Sequence, residues 1–173
     1  MIVKTLEKME KIVASNKELS WSGWTVLHSS KSDLAQTSKH GVRINNSWYL
    51  QKQFAQISDV YKSLDITVHV VPNSFDDLDL PNFIFQRDLF WQTMEGVVIS
   101  RMSSPIRAGE EAYVSKYLSS LNIPITMTVG GNGVLEGADC LWLRPDIVLC
   151  GIGNRTNLEA YRSLKIHMTL QSV

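Results

Sequence analysis

The sequence predicts an α/β fold assembled from repeated strand–helix units, and three observations predict it. Asp88-Leu-Phe-Trp91 is echoed by Asp139-Cys-Leu-Trp142, and each tetrapeptide opens a pair of short apolar runs. Arg107 is followed by Glu111-Ala-Tyr113 at the same offset at which Arg155 is followed by Glu159-Ala-Tyr161. Finally, Ser63-Leu-Asp-Ile-Thr-Val68, Ser120-Leu-Asn-Ile-Pro-Ile125 and Ser163-Leu-Lys-Ile-His-Met168 share a Ser-Leu-x-Ile-x-apolar signature. Repetition in a fixed order signals supersecondary units that bury their apolar faces on one another. A chain of 173 residues, 44% hydrophobic and 20% charged, has the size and composition to bury one such core as a single domain over 1–173.

The elements follow in order. Over residues 1–19, Ile2, Val3, Leu6, Met9, Ile12 and Val13 recur at helical spacing, with lysines and glutamates on the other face. That pattern predicts an amphipathic helix packed on the body and not a secretory leader. The first unit runs from about 22 to 71, with a helix over 47–64 and a returning strand. It lacks the Asp-x-x-Trp and Arg-x-x-x-Glu-Ala-Tyr elements of the other two. The second, about 83–127, has apolar runs at 90–91 and 97–99, a helix over 110–121 and a strand after it. The third, about 134–170, repeats this with runs at 141–143 and 147–149, a helix over 157–164 and a strand over 166–168. In each, Ser-Leu ends the helix and the alternation beyond it reads as a half-buried strand.

Composition excludes several function classes. Formal net charge is zero, and no basic stripe interleaved with aromatics is present, so nucleic acid is not an expected partner. No apolar run approaches the roughly 18 residues of a membrane span. The two cysteines, Cys140 and Cys150, form neither a metal-ligand spacing nor a CxxC pair, and both lie in apolar runs, so they read as buried reduced thiols. No metal or cofactor site is predicted, and a cytoplasmic location is expected. The Asn-x-Ser/Thr triplets at Asn45 and Asn154 are chance matches without a secretory signal.

Repeated units gather their turns at one end, which puts Asp88, Arg107, Asp139 and Arg155 at equivalent places in successive units. Residues so placed can converge on one axis. Equally, each Asp–Arg pair can be a salt bridge within its own unit that fixes the turn. The repeat alone leaves both open.

Four segments give the pattern a family. Leu80-Pro-Asn-Phe-Ile-Phe-Gln-Arg-Asp88, Glu110-Glu111, Leu135-Glu-Gly-Ala-Asp139 and Gly153-Asn-Arg-Thr-Asn157 stand in the order and approximate spacing of the pentein superfamily. That superfamily of guanidine-modifying enzymes includes arginine deiminase, dimethylarginine dimethylaminohydrolase and the amidinotransferases; the chain most resembles arginine deiminase, from about Trp24 to its end. The resemblance implies a partial α/β propeller, three of five strand–helix modules, with the site on the axis. It also implies a cysteine thiolate that attacks the guanidinium carbon, a histidine as acid and base, and acidic residues that hold the cation. By the same resemblance Asp88 and Glu136 are the catalytic carboxylates, Asp88 also gripping the substrate, and Asn82, Arg107 and Arg155 bind its backbone end. A planar, permanently charged guanidinium presents a fork of donors for which carboxylates are natural receptors, and an arginine suits the substrate carboxylate. Asp139 reads instead as a cap of the adjoining turn.

The sequence departs from the family pattern in its catalytic pair. The family's histidine lies in a His-Leu type motif beyond the third module and its cysteine near the C-terminus, whereas this chain ends at Val173. His167 falls on the expected last strand, His28, His40 and His69 have no partner pattern, and Cys140 and Cys150 lie in a hairpin. Ala138 stands where the family has glycine. The expectation is a truncated or degenerate guanidine-modifying hydrolase of the amidinotransferase family, inactive alone. The alternatives are a non-catalytic receptor for an arginine-like ligand, or a subunit whose ring is completed by self-association or a partner chain. Arginine, methylated arginine and agmatine all carry the same head group, so the substrate stays open.

Overall fold

The computed structural model describes residues 24–27, 47–71, 80 and 82–171. The helix expected over 1–19, and His28 and His40, lie outside them. In the first unit β1 (Trp24–Leu27) and β2 (Thr67–Val70) are parallel, with Trp24 opposite Thr67 and Leu27 opposite Val70. Parallel neighbours need a crossover, and α1 (Ser47–Ser63) supplies it. The second unit has an antiparallel hairpin, β3 (Phe90–Gln92) and β4 (Val97–Ile99), then α2 (Glu110–Ser120) and β5 (Ile125–Thr128), which returns parallel to β4. The third has the hairpin β6 (Cys140–Arg144) and β7 (Ile147–Cys150), followed by α3 (Leu158–Gln171).

The strand expected over 166–168 is therefore not there: those residues belong to α3, and His167 is helical. The cause lies one residue after the shared Ser-Leu. Asp65 and Asn122 take left-handed φ values of 58° and 57°, a conformation that Asp and Asn tolerate better than most residues. Each helix there closes with a bond back across the reversal, from Ile66 N to Tyr61 O at 3.0 Å and from Ile123 N to Leu118 O at 3.1 Å. The third unit has Lys165 at that position and no proline beyond it, where the second has Pro124. Lysine favours the right-handed helix, and the helix continues.

The strands form three small sheets, β1–β2, β3–β4–β5 and β6–β7, with no closed sheet among the described residues. Two apolar clusters hold the units together. Val97 and Ile99 of β4 face one, with Leu89, Phe83, Val114 and Leu118. Val98, on the opposite face by strand alternation, faces the other, with Trp91, Leu135, Cys140 and Leu164. Each such buried side chain contributes roughly 1.5–3 kcal/mol relative to exposure. The repeated tryptophans meet across the seam: Trp91 and Trp142 stack at 5.2 Å, and Trp142 Nε1 donates to Gln92 O at 2.8 Å. The seam ends in an antiparallel bridge between Arg101 and Leu135. On the hairpin β6–β7, Leu141, Leu143, Ile147 and Leu149 are exposed, an apolar face turned away from the core.

Candidate functional site

Both predicted carboxylates stand where a tight turn enters a hairpin. Asp88 closes the 3-10 turn Gln86–Asp88 ahead of β3, and Glu136 immediately precedes the turn Gly137–Asp139 ahead of β6. The two turns press together. A Cβ on Gly137 would lie 2.1 Å from Phe90 O, so only glycine allows the approach. Arg87 fastens the same seam, donating to Cys140 O at 2.8 Å and to Gly137 O. The Glu-Gly sequence thus puts the third unit's carboxylate beside the second's.

The arginines come from the turns beyond the hairpins. Arg107 Nη1 pairs with Asp88 Oδ2 at 2.6 Å and lies 4.0 Å from Glu136 Oε1. Its Nε and Nη2 both reach Glu110 Oε2, at 2.9 and 2.8 Å, and Nη2 also donates to Phe85 O at 3.3 Å. The guanidinium carbon sits 5.9 Å over the Phe85 ring. Arg155 Nη1 pairs with Glu136 Oε2 at 3.0 Å. Asp88, Glu136, Arg107 and Arg155 thus form one cluster, and both carboxylates face the same nitrogen of Arg107. Of the two Asp–Arg pairs considered from the repeat, Asp88–Arg107 forms within its unit. In the third unit Arg155 turns to Glu136, while Asp139 Oδ2 accepts from the Thr156 hydroxyl at 2.5 Å.

Exposure grades the members. The Arg107 and Glu136 side chains are 7% and 6% exposed and Glu110 is fully buried, but Arg155 is 66% exposed. Burial opposes the charge of Arg107, yet the hydrogen bonds and charges of Glu110 and Asp88 outweigh it and hold the guanidinium above its ordinary value. Arg155 is raised by its bond to Glu136. Burial pushes Glu110 up to about 7 despite Arg107, and its Oε1 is buried with no hydrogen-bond partner among the described residues.

Among the described residues, Asn82 enters through its backbone, its carbonyl accepting from Phe85 N at 3.0 Å in the turn that leads to Asp88. Two cluster residues received no role from the sequence. Glu110 lies three places after Arg107, where the third unit has Leu158, so the repeat passes over it; the signal was the Arg-x-x-Glu spacing itself. Thr156 is fully buried, and besides Asp139 its hydroxyl meets Glu136 N at 3.1 Å. His167, on α3, lies 3.2 Å from the Thr126 hydroxyl and outside the cluster. Cys140 is buried and its thiol is pushed up to about 12, first by burial and then by Cys150. That is the reverse of an activated nucleophile.

Comparison with known proteins gives the chain its family. The sequence matches the model of the arginine deiminase family over residues 7–171. It is 34% identical over 94 residues to the arginine deiminase of Borrelia garinii subsp. bavariensis, which covers 51% of this chain and 23% of that protein. It is 30% identical over 113 residues to the protein YkgA of Bacillus subtilis, covering 65% and 37%. Among solved structures, a mutant dimethylarginine dimethylaminohydrolase from Pseudomonas aeruginosa, complexed with citrulline, superposes with a TM-score of 0.72 at 16% identity, over 87% of this chain and 58% of that one. The N-terminal domain of a cyanobacterial arginine dihydrolase, bound to product, gives 0.70 at 18% identity, over 85% and 55%. The chain thus spans 23% and 37% of those two curated relatives' lengths and little more than half of the solved chains. The shared fold is that of the penteins, and the match along nearly the whole sequence settles the lineage: this chain belongs to the arginine deiminase family.

Proposed function

We propose that this chain supplies the guanidinium-holding part of a hydrolase that acts at the guanidinium carbon of arginine or a relative. The observation that carries the reading is the approach of Asp88 and Glu136, from successive units, to one nitrogen of Arg107. Two carboxylates so close repel each other, and a bound cation relieves the repulsion. In this structure the cations are arginines of the protein itself. Arg155 is the exposed partner, so the substrate's guanidinium takes its place on Glu136, where it also meets the Asp88 oxygen that Arg107 does not hold, and Arg155 swings to the substrate's carboxylate, with Asn82 at the same end. Arg107 is anchored by Glu110 and acts mainly as a positioning residue that spaces the two carboxylates; contact with the ligand's carboxylate would cost it those bonds.

The attack itself needs a thiolate and an acid–base group next to it. The family resemblance assigns these to a cysteine and a histidine, and neither described cysteine has the required environment. In the proposed assembly they come from further modules, borne by a different partner chain, that complete a propeller around the axis. The apolar outer face of β6–β7 supports such a contact, since large exposed apolar patches mark interaction surfaces. A cytoplasmic setting is part of the same proposal. The place of both described cysteines, in the β6–β7 hairpin and outside the carboxylate cluster, equally favours a second reading, in which the chain binds an arginine-like ligand without chemistry.

Calorimetry distinguishes these from an unrelated use of the fold. L-arginine is expected to bind, and L-citrulline, which lacks the charge, to bind at least about 10-fold more weakly, the scale of one charge-assisted hydrogen bond. Equal affinity for the two, or no heat at millimolar arginine, would overturn the guanidinium reading.

A further inference from the structure

Cys140 and Cys150 take no part in the carboxylate cluster, yet they face each other across the β6–β7 ladder. They are register partners, their Sγ atoms are 3.8 Å apart, and both are free thiols. Gly151 N donates to Asp139 O at 2.9 Å, which makes those two residues a hydrogen-bonded pair and places the cysteines at the adjoining non-hydrogen-bonded one. Such positions hold Cα atoms about 4.5 Å apart, inside the span of roughly 4.4–6.8 Å that a disulfide bridges. The shared register and the 3.8 Å between the sulfurs suit that span, so closure asks for a turn of the side chains.

We propose that Cys140 and Cys150 form a redox modification site, a dithiol that a peroxide converts to a cross-strand disulfide. Both line a pocket of about 530 Å³ between the hairpin and α3, walled by Trp91, Trp142, Leu164 and Met168, which gives a small oxidant a route to them. Cys150, only partly buried, is the first to react. Its thiolate attacks one peroxide oxygen, the O–O bond breaks, and a sulfenic acid and hydroxide result. The Cys140 sulfur then attacks the Cys150 sulfur. The S–O bond breaks, and the Cys140 proton leaves with the departing hydroxide as water. Two thiols and one peroxide give one disulfide and two waters. Burial raises both thiols, so the reaction is slow near neutrality and quickens as pH rises.

The bond would lock a structural seam. Cys140 O accepts from Arg87, the residue before Asp88, and Asp139 accepts from Thr156, which also meets the backbone of Glu136. Closing the chain from 140 to 150 constrains the unfolded state and raises Tm by roughly 5 °C or more.

The test treats the full chain with hydrogen peroxide at pH 8.5, blocks remaining thiols by alkylation, and reads mass and Tm. Loss of two hydrogen masses, one linked peptide pair containing both cysteines, and a rise in Tm that dithiothreitol reverses are expected. In Cys140→Ser the sulfenic acid on Cys150 should persist and be trapped by dimedone. Addition of oxygen to Cys150 while Cys140 of the wild-type chain stays alkylatable would overturn the proposal. So would disulfide-linked dimers, or two thiols that survive the treatment intact.

Discussion

Arg107→Met removes a guanidinium while leaving its receptors in place. The side chain is 7% exposed and Glu110 is fully buried, with Glu110 Oε2 accepting from two nitrogens of Arg107 at 2.9 and 2.8 Å and Oε1 accepting from none. Methionine leaves that carboxylate in an apolar setting with no donor, and breaking a buried pair from one side costs about 3–5 kcal/mol. For a chain of this size that corresponds to a fall in Tm of roughly 6–20 °C. Urea unfolding followed by circular dichroism at pH 8, where Glu110 is ionised, measures it. At pH 5.5, where Glu110 carries its proton, the penalty should shrink. The double variant Arg107→Met/Glu110→Met removes both charges and should recover most of the loss, because replacing both partners by apolar groups is often near neutral. A loss below about 1 kcal/mol in the single variant at pH 8, the scale of an exposed pair, would refute the view that Arg107 and Glu110 anchor the site.

Glu110 makes stability depend on pH with a definite sign. Its folded value of about 7 lies above the unfolded value, so the native state holds the proton more tightly, and the stability this confers is full below about 4.3 and lost as pH rises towards 7. From pH 5 to 7.5 the unfolding free energy from urea curves should fall by up to about 3 kcal/mol in the wild type relative to Glu110→Gln; parallel profiles would contradict this. Gly137→Ala sets a methyl 2.1 Å from Phe90 O and should cost about 1–3 kcal/mol while weakening arginine binding, read by unfolding and calorimetry. Arg155→Met frees Glu136, so it should tighten agmatine, which has no carboxylate, and weaken L-arginine. Shifts of the same sign would place Arg155 elsewhere in the bound state.

Much of this architecture was legible because repetition and binary pattern point the same way. The helices expected over 47–64 and 110–121 are observed as Ser47–Ser63 and Glu110–Ser120, and both hairpins lie within a residue or so of their apolar runs. The last strand failed where a shared signature hid one decisive difference: Asp65 and Asn122 can take the left-handed turn that stops a helix, and Lys165 carries the helix on. At the site, the turn positions put Asp88, Arg107 and Arg155 at one end of their units and the resemblance added Glu136, and the four side chains form one cluster. Which arginine faces which carboxylate was not legible, because that depends on contacts between units. Arg155 pairs with Glu136, not Asp139, since the close approach at Gly137 turns Glu136 inward and Thr156 occupies Asp139. Glu110 escaped because only one unit has it.

The shared grip of Asp88 and Glu136 on one flat cation is tested most directly by titrating agmatine into the wild-type chain, Asp88→Asn and Glu136→Gln, with folding of each checked by circular dichroism. Each variant keeps the shape and removes one charge, so each should weaken binding by about 10-fold or more, the scale of a lost charge-assisted hydrogen bond. Folded variants that bind agmatine as tightly as the wild type would contradict the account.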